Sequence, residues 1–403
     1  MPNFASSNHR GSGWVFNDSE VGWYICGTAR TLDNVRRCTR LDGVESTASP
    51  RVTYALPNGG SAMRVRLLES DEYMHPLGPE SNFNESMYIN CFDHSSKVGV
   101  WLRMGNRANE GHAEMTVCIY LPDGRVGFMF NRPKIDNNDA LDAGGLTWTM
   151  HTPFEHLSVA FDGKVLMLND PYQMSNPKEA FKSNPFVECS VHLDFRGKGR
   201  PSMFGGEPEE PHERPEEQFA RGHYEQLVSG SGSLRVGSEE FHVSGFGLRD
   251  HSWGPRFWQA PWYYRWLTAN FGDDLGFMAS RVARKDSAGT RGGFVWDDGN
   301  IHLCDDVKIS TVTHSSEHFH ERVTGTLTSS SSERTWSFEG VVQSLIPLRN
   351  RRQDSAGNWL HTRISEGMTQ WRMTEGKHAG RVGYGMSEYL DQIIDSQPVG
   401  IAE

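Results

Sequence analysis

The stretch Met115-Thr-Val-Cys-Ile-Tyr-Leu-Pro-Asp-Gly-Arg-Val-Gly-Phe-Met-Phe130 decides the fold class. Two apolar-rich runs, Met115–Tyr120 and Val126–Phe130, flank Pro122-Asp123-Gly124-Arg125, and an Asp-Gly pair between such runs marks a reversal between antiparallel strands. The same grammar recurs outward along the chain. Leu157–Phe161 and Lys164–Leu168 flank Asp162-Gly163. Leu234/Val236 and Phe241/Val243 bracket Gly237-Ser238-Glu239, and Phe294–Trp296 and Ile301–Leu303 surround Asp297-Asp298-Gly299. Val323–Leu327 and Trp336–Val342 are separated by the polar run Ser329–Ser332. Apolar spacing of the helical kind is confined to short pieces near Pro177–Lys182, near Glu216–Tyr224 and over Met386–Ile394. Many short strands at this spacing predict a mostly-β protein of sandwiches or barrels, not an α/β sheet. The apolar content is heavily aromatic, with 21 Phe, 12 Trp and 11 Tyr. Aromatic side chains favour strands and line pockets for flat, apolar ligands.

A chain of 403 residues is too long for one ordinary core. The clearest break is 196–222, which carries Gly-Lys-Gly-Arg-Pro, Gly205-Gly206 and a Pro/Glu-rich run that cannot build a core. This predicts an N-terminal β domain over 1–195, a linker over 196–222 and a C-terminal β domain over 223–403.

The formal charge of −11 is spread along the chain, and no Lys/Arg-rich run offsets it. Nucleic acid and anionic membrane both reward a basic face, so neither is expected as a partner. No apolar run approaches the roughly 20 residues that span a bilayer, so no integral membrane segment is expected. The opening residues lack the apolar core of a secretory signal. Cys26, Cys38, Cys91, Cys118, Cys189 and Cys304 are scattered without a C-x-x-C pair, which predicts buried free thiols in the reducing cytoplasm. Phosphate-binding, nucleophile-elbow and H-E-x-x-H motifs are missing, and Gly245-Phe-Gly247 runs into Arg249-Asp250 rather than completing a dinucleotide fingerprint. No cofactor is therefore predicted. His318-Phe-His320 is the nearest thing to a metal pair, because alternate strand residues share a face, but its surroundings read as a solvated strand edge and no metal is assigned.

Chemistry concentrates in Gly245-Phe-Gly-Leu-Arg-Asp-His-Ser-Trp-Gly-Pro-Arg256 and the following Phe257-Trp-Gln-Ala-Pro-Trp-Tyr-Tyr-Arg-Trp266. A carboxylate and an imidazole, Asp250 and His251, can trade protons near neutral pH when burial or a nearby charge tunes them. Arg249 and Arg256 can keep Asp250 ionised or bind a polar ligand group. Trp253, Trp258, Trp262 and Trp266 offer π faces to a flat ligand or a developing cation. The alternative is structural: Asp250 in a buried ion pair and the tryptophans as packing. His223 and Glu225 alternate on one strand face as a second acid–base pair.

These residues resemble the C-terminal domain of the lipocalin-like hydroxyneurosporene synthase family, the carotenoid 1,2-hydratases and their bacterial relatives. His223-Tyr-Glu-Gln226 resembles the start of that domain. Asn84-Glu-Ser-Met-Tyr88 and Arg103-Met-Gly-Asn-Arg-Ala-Asn-Glu-Gly111 resemble the matching N-terminal domain. The resemblance implies a sandwich-like N-terminal domain, a lipocalin-like C-terminal barrel and a ligand pocket between them. It also implies water addition to isoprenoid double bonds, with a more distant similarity to fungal decalin-forming Diels–Alderases. The expected function is a cofactor-independent hydratase, dehydratase or isomerase acting on a hydrophobic small molecule. A pericyclase that folds a polyene and a non-catalytic lipocalin-like carrier stand beside it. Asp250, His251 and Glu85 are the expected catalytic residues. Trp253, Arg256, Trp258, Trp262, Trp266, Arg103, Tyr88, Asn84 and His223 are the expected substrate contacts.

Overall fold

The computed structural model describes residues 52–58, 61–197, 203–210, 220–258, 261–285, 287–353 and 357–401. Strands dominate it, and the strand pairings among the described residues are antiparallel and fall into two sheets of 13 and 10 strands. The first sheet holds the strands from Val52–Asn58 to Glu239–Pro255, and the second those from Tyr263–Asn270 to Gln397–Pro398. Both β bodies expected from the sequence are present, and the first is more closed than a sandwich. Phe186–Gly197 pairs with His156–Leu168 on one side and with Gly222–Val236 on the other. The ladder thereby closes a ring through Glu239–Pro255, Phe83–Asp93, Val98–Arg107, His112–Tyr120 and Val126–Asn131.

Period-two alternation then decides what each face does. In Phe83–Asp93, Met87, Ile89 and Cys91 enter the ring's interior with Val100, Leu102, Val117, Val159 and Val191. The intervening Tyr88 and Phe92 point outward, where they meet Ile346, Met368, Tyr384 and Met386 of the second sheet. The second sheet curls around its own apolar centre of Leu267, Phe277, Val323, Phe338 and Trp371. Each fully buried side chain of this size contributes roughly 1.5–3 kcal/mol, so three such clusters hold the two sheets and the contact between them.

Several local expectations change. The hairpins at Pro122–Arg125, Gly237-Ser238, Asp298-Gly299 and 329–334 form as expected. Asp162-Gly163 makes no turn: His156–Leu168 runs straight through it in register with Phe186–Gly197. The apolar alternation Val159, Phe161, Val165, Met167 is unbroken across that dipeptide, and burial of one continuous face outweighs the local turn preference. Met386–Ile394 is the end of strand Val382–Ile394, not a helix, again because its neighbours on both sides pair with it. The short helix Pro177–Ser183 is present, whereas Gly222–Val236 is strand where a helical turn near Glu216–Tyr224 was expected, residues 211–219 lying outside the described ones.

The chain changes sheet between Pro255 and Tyr263, not at the expected linker. Within 196–222, Met203–Pro208 is a strand pairing with Gly222–Val236 and Ser61–Leu67. A ladder needs only backbone groups, so a composition unable to form a core can still extend a sheet. Gly245 and Gly247 also find their reason here. A Cβ at Gly247 would sit 1.7 Å from the Asn90 carbonyl oxygen, and one at Gly245 would sit 2.3 Å from that of Phe92. These glycines let two strands press together and do not cradle a nucleotide. No helix among the described residues is long and apolar enough to cross a membrane. Cys91, Cys118, Cys189 and Cys304 are buried free thiols, while Cys26 and Cys38 lie outside the described residues.

Candidate functional site

Strand Glu239–Pro255 is flanked by Gly222–Val236 and Phe83–Asp93. Alternation therefore sends neighbours along it to opposite faces. Arg249, His251 and Trp253 go into the ring, and Asp250 and Ser252 go out toward the second sheet. This corrects the expectation that Asp250 and His251 work as a pair: adjacency in sequence places the backbone of the sheet between them.

On the inner face, Glu85 is fully buried and serves two imidazoles. Its Oε1 accepts from His251 Nε2 at 2.6 Å and from His75 Nδ1 at 2.9 Å, and its Oε2 accepts from the His75 amide at 3.2 Å and Asn138 Nδ2 at 3.3 Å. Burial opposes ionisation of Glu85, yet the hydrogen bonds and charge of His251 and His75 pull its pKa down to about 2. Burial likewise works against a charged His75, and Asp71 and Glu85 overcome it, raising that pKa to about 9. Trp253 stacks on His75 with centroids 4.0 Å apart. Alongside, Arg249 forms a two-pronged ion pair with Glu72 at 2.5 and 2.8 Å and bonds Gln226 Oε1 at 2.9 Å. The ligand atoms of His75, Glu85 and His251 lie within 4.8 Å of one another, close enough for a metal. Both oxygens of Glu85 are nevertheless committed to protein donors, as a buried carboxylate in an ion pair requires, while His75 Nε2 and His251 Nδ1 are buried without a hydrogen-bond partner.

The outer face is arranged differently. His223 Nε2 bonds Asp250 Oδ2 and stands 3.5 Å from Glu225 Oε1. Trp266 of the second sheet donates from Nε1 to Glu225 Oε1 at 2.9 Å and meets Tyr88 edge-on at 5.5 Å. Glu366 and Glu388 stand directly opposite each other on neighbouring strands of the second sheet, and Tyr264 donates its hydroxyl to Glu388. Arg103 pairs with Glu114 at 3.5 Å, and Arg103 and Arg256 both lie over the Trp258 ring, at 5.6 and 5.4 Å. Arg256 also donates to Ser252 Oγ at 2.6 Å.

This face holds more protons than its residue types would ordinarily keep. Burial raises Glu366 well above the carboxylate range and the Glu388 charge adds to it; Glu388 is raised by burial too. Two adjacent buried carboxyls cannot both ionise cheaply, which favours keeping a proton on the couple. Glu225 is raised to about 7 by burial and by Asp250, against the pull of His223. Burial disfavours charge on His223 as well, but Asp250 lifts it to about 9, and His223 in turn holds Asp250 low. With a side chain 39% exposed, His223 is the member of the group nearest to solvent. Burial and the neighbouring Arg103 lower Arg256 to about 9. Asn84 (both amide atoms), Arg103 Nη2, Glu225 Oε2 and Glu366 Oε2 are buried polar atoms without a hydrogen-bond partner here. A polar group so placed costs free energy unless something binds it.

Of the residues expected from sequence, Asp250, His223, Tyr88, Arg103, Asn84, Arg256, Trp258 and Trp266 converge on this outer face. Glu85, His251 and Trp253 belong to the inner face. Trp262 lies apart, its ring next to Lys285 Nζ at 5.5 Å. His318 and His320, the nearest thing to a metal pair in the sequence, do not sit as alternate residues of one strand, because His318 lies in a turn at φ +55° before strand Phe319–Ser329 begins. His320 is instead buried against Ser387 Oγ at 2.9 Å. Sequence reasoning left Glu366, Glu388 and Tyr264 unassigned. A signal existed for Glu388: read at period two, Tyr384, Met386, Glu388 and Leu390 put a carboxylate in an otherwise apolar row. A separate cleft of about 310 Å³ beside Tyr172, His314 and Glu321 contains none of the outer-face residues.

Solved structures with this fold include CghA, a Diels–Alderase, in complex with Sch210972. It aligns with a TM-score of 0.50 and 13% identity over 80% of this chain and 96% of that one. Kievitone hydratase from Nectria haematococca aligns with a TM-score of 0.50 and 10% identity over 84% and 97%. Both likenesses are of fold, and both proteins are of the kinds, hydratase and Diels–Alderase, that the sequence resemblance named. No curated protein matches the chain in sequence. The family described as domain of unknown function DUF7064 matches residues 68–393, and the chain belongs to that family.

Proposed function

We propose that the protein is a cofactor-independent lyase or isomerase that performs acid–base chemistry on a hydrophobic small molecule held between its two sheets. The observation that carries this is the proton-rich carboxyl set on the outer face: the Glu366–Glu388 couple opposite the Asp250–His223–Glu225 group, with Trp266, Trp258 and Tyr88 beside them. In the hydration direction, the O–H bond of the shared Glu366–Glu388 proton breaks as a new C–H bond forms on the substrate double bond. The carbocation left behind is flanked by π faces, each contributing roughly 0.5–2 kcal/mol. Water then adds through its oxygen, and its proton passes to Glu225, whose pKa near 7 suits a general base. Ionised Asp250 holds His223 in place, and the partnerless atoms of Arg103 and Asn84 anchor a polar end of the substrate. Dehydration is the same sequence reversed.

Support also comes from the two neighbours of this fold, one a hydratase and one a ligand-bound Diels–Alderase. The second of these, together with the aromatic content of the outer face, favours a cyclase as the second reading. In that case the outer face would fold the substrate and Trp266 would matter more than Glu388. The buried, unpaired cysteines fit a cytoplasmic protein.

The test is native mass spectrometry of the freshly purified protein, with extraction and identification of any bound molecule, followed by incubation of that class of compound in H₂¹⁸O and in D₂O. Incorporation of ¹⁸O and of carbon-bound deuterium is expected for the hydratase. A product free of both labels points to the cyclase, and stoichiometric binding without product leaves a carrier.

A further inference from the structure

A second cluster lies on the other side of the second sheet, where strands Arg334–Gln353 and Trp359–Met373 meet. Their register puts Arg349 opposite Arg363 and Arg351 opposite His361. Directly opposite residues share a face, and like charges so placed destabilise the pair. The same face carries Tyr389, Asp391 and Arg265, and continues into the apolar centre around Trp371. It is therefore the inside of the curled sheet, at its polar end.

The local charge is not neutralised. Arg265 pairs with Asp391 at 3.1 Å, and Arg363 donates to the backbone oxygens of Glu317 at 2.5 Å and His318 at 3.4 Å, with its guanidinium 4.7 Å from the Phe319 ring. The Nε of Arg363 is buried without a hydrogen-bond partner. Among the described residues, Arg349 and Arg351 have no ion pair. Burial and the surrounding arginines push His361 down to about 4, and burial with Arg351 lowers Arg349. Trp359, two residues before His361 and so on the same face, is 57% exposed. In a chain of formal charge −11 such a concentration of cations is local, not a reflection of composition. Deeper along the same face the polarity falls away: Tyr389 bonds Thr311 at 2.6 Å and stacks on His320 at 4.0 Å, and beyond them lie Trp371 and Phe338.

We propose that this end of the second sheet is a binding site for a small anion, a carboxylate or a phosphate, with Arg349, Arg351 and Arg363 as its counter-charges and Trp359 beside it. Guanidinium groups match both anions in fork geometry, and a bound anion removes the cross-strand repulsion. The site lies on the opposite face of strand Trp359–Met373 from Glu366 and is independent of the acid–base reading above.

The test is calorimetric titration of the full chain with inorganic phosphate and with laurate, at ionic strength held constant by chloride. The Arg349→Gln variant and the Arg349→Gln/Arg351→Gln double variant are titrated alongside the wild type. Binding of either anion by the wild type is expected, weakened about tenfold or more in the double variant. Phosphate binding identifies a phosphate-bearing ligand; binding of laurate alone identifies a carboxylate with an apolar tail. In the absence of ligand the double variant is expected to melt higher than the wild type, because repulsion is relieved, which also verifies that it folds. Failure of both anions to bind the wild type, or equal binding by the double variant, overturns the proposal.

Discussion

The two faces of strand Glu239–Pro255 carry similar residue types to opposite ends. Inside the ring, one carboxylate serves two imidazoles, an amide and a backbone N–H, and Glu85 is driven down to about 2. Between the sheets, Asp250 and Glu225 share one histidine and Glu366 stands opposite Glu388, and three of these four carboxyls are driven up. On the first face both oxygens of the one carboxylate meet donors, whereas on the second Glu225 Oε2 and Glu366 Oε2 meet none. Saturated charge networks brace a structure, whereas unsaturated ones retain protons to give away.

The widest separation between the faces is expected in stability. Glu85→Gln should destabilise the protein by about 3–5 kcal/mol in urea denaturation, because it leaves buried imidazoles without their counter-charge. Asp250→Asn, beside a histidine that is already partly solvated, should cost far less. Similar losses from the two substitutions would erase the distinction.

Turnover should separate the faces the other way. Once the substrate is identified, Glu388→Gln is expected to lower kcat about 100-fold or more with the melting temperature retained. Asp250→Asn should act in the same direction and His251→Ala should act through folding alone. An active Glu388→Gln would move the weight to the cyclase reading.

The smallest effect is in pH dependence, and its sign differs between the faces. Glu225 keeps its proton in the folded state up to about 7 while the unfolded chain releases it near the ordinary value. Its contribution to stability therefore falls as pH rises from 4.5 to 7. Glu85, depressed to about 2, contributes fully above 4.5 and loses that contribution as pH falls toward 2. Glu225→Gln should therefore match wild type below pH 4.5 and exceed it by roughly 1–3 kcal/mol at pH 7. Parallel curves for the two proteins across that range would remove Glu225 from the proton-holding group.

Much of this was legible in the residues, and the losses have a common cause. Turn chemistry is local, so Asp123-Gly124 and Gly237-Ser238 identified their hairpins from a few positions. Asp162-Gly163 carried the same signal and failed, because a buried face spanning thirteen residues constrains more backbone than a dipeptide can. The Gly245–Trp266 stretch pointed to the right strand but not to its two sides, since pairing Asp250 with His251 ignored the alternation that strand structure imposes. Reading Met386–Ile394 at helical spacing hid Glu388 by the same kind of error. Glu366 and Glu388 meet only through register between distant segments, which no local pattern records.

The two halves of the outer-face group are made at different times. Asp250, His223 and Glu225 belong to the first sheet, while Glu388 lies in Val382–Ile394, which inserts between Tyr263–Asn270 and Trp359–Met373. During synthesis the first ring can close while its partner carboxyls are still unbuilt. The group is complete only when that late strand slots into the gap, so a growing chain carries Asp250, His223 and Glu225 before it carries Glu388.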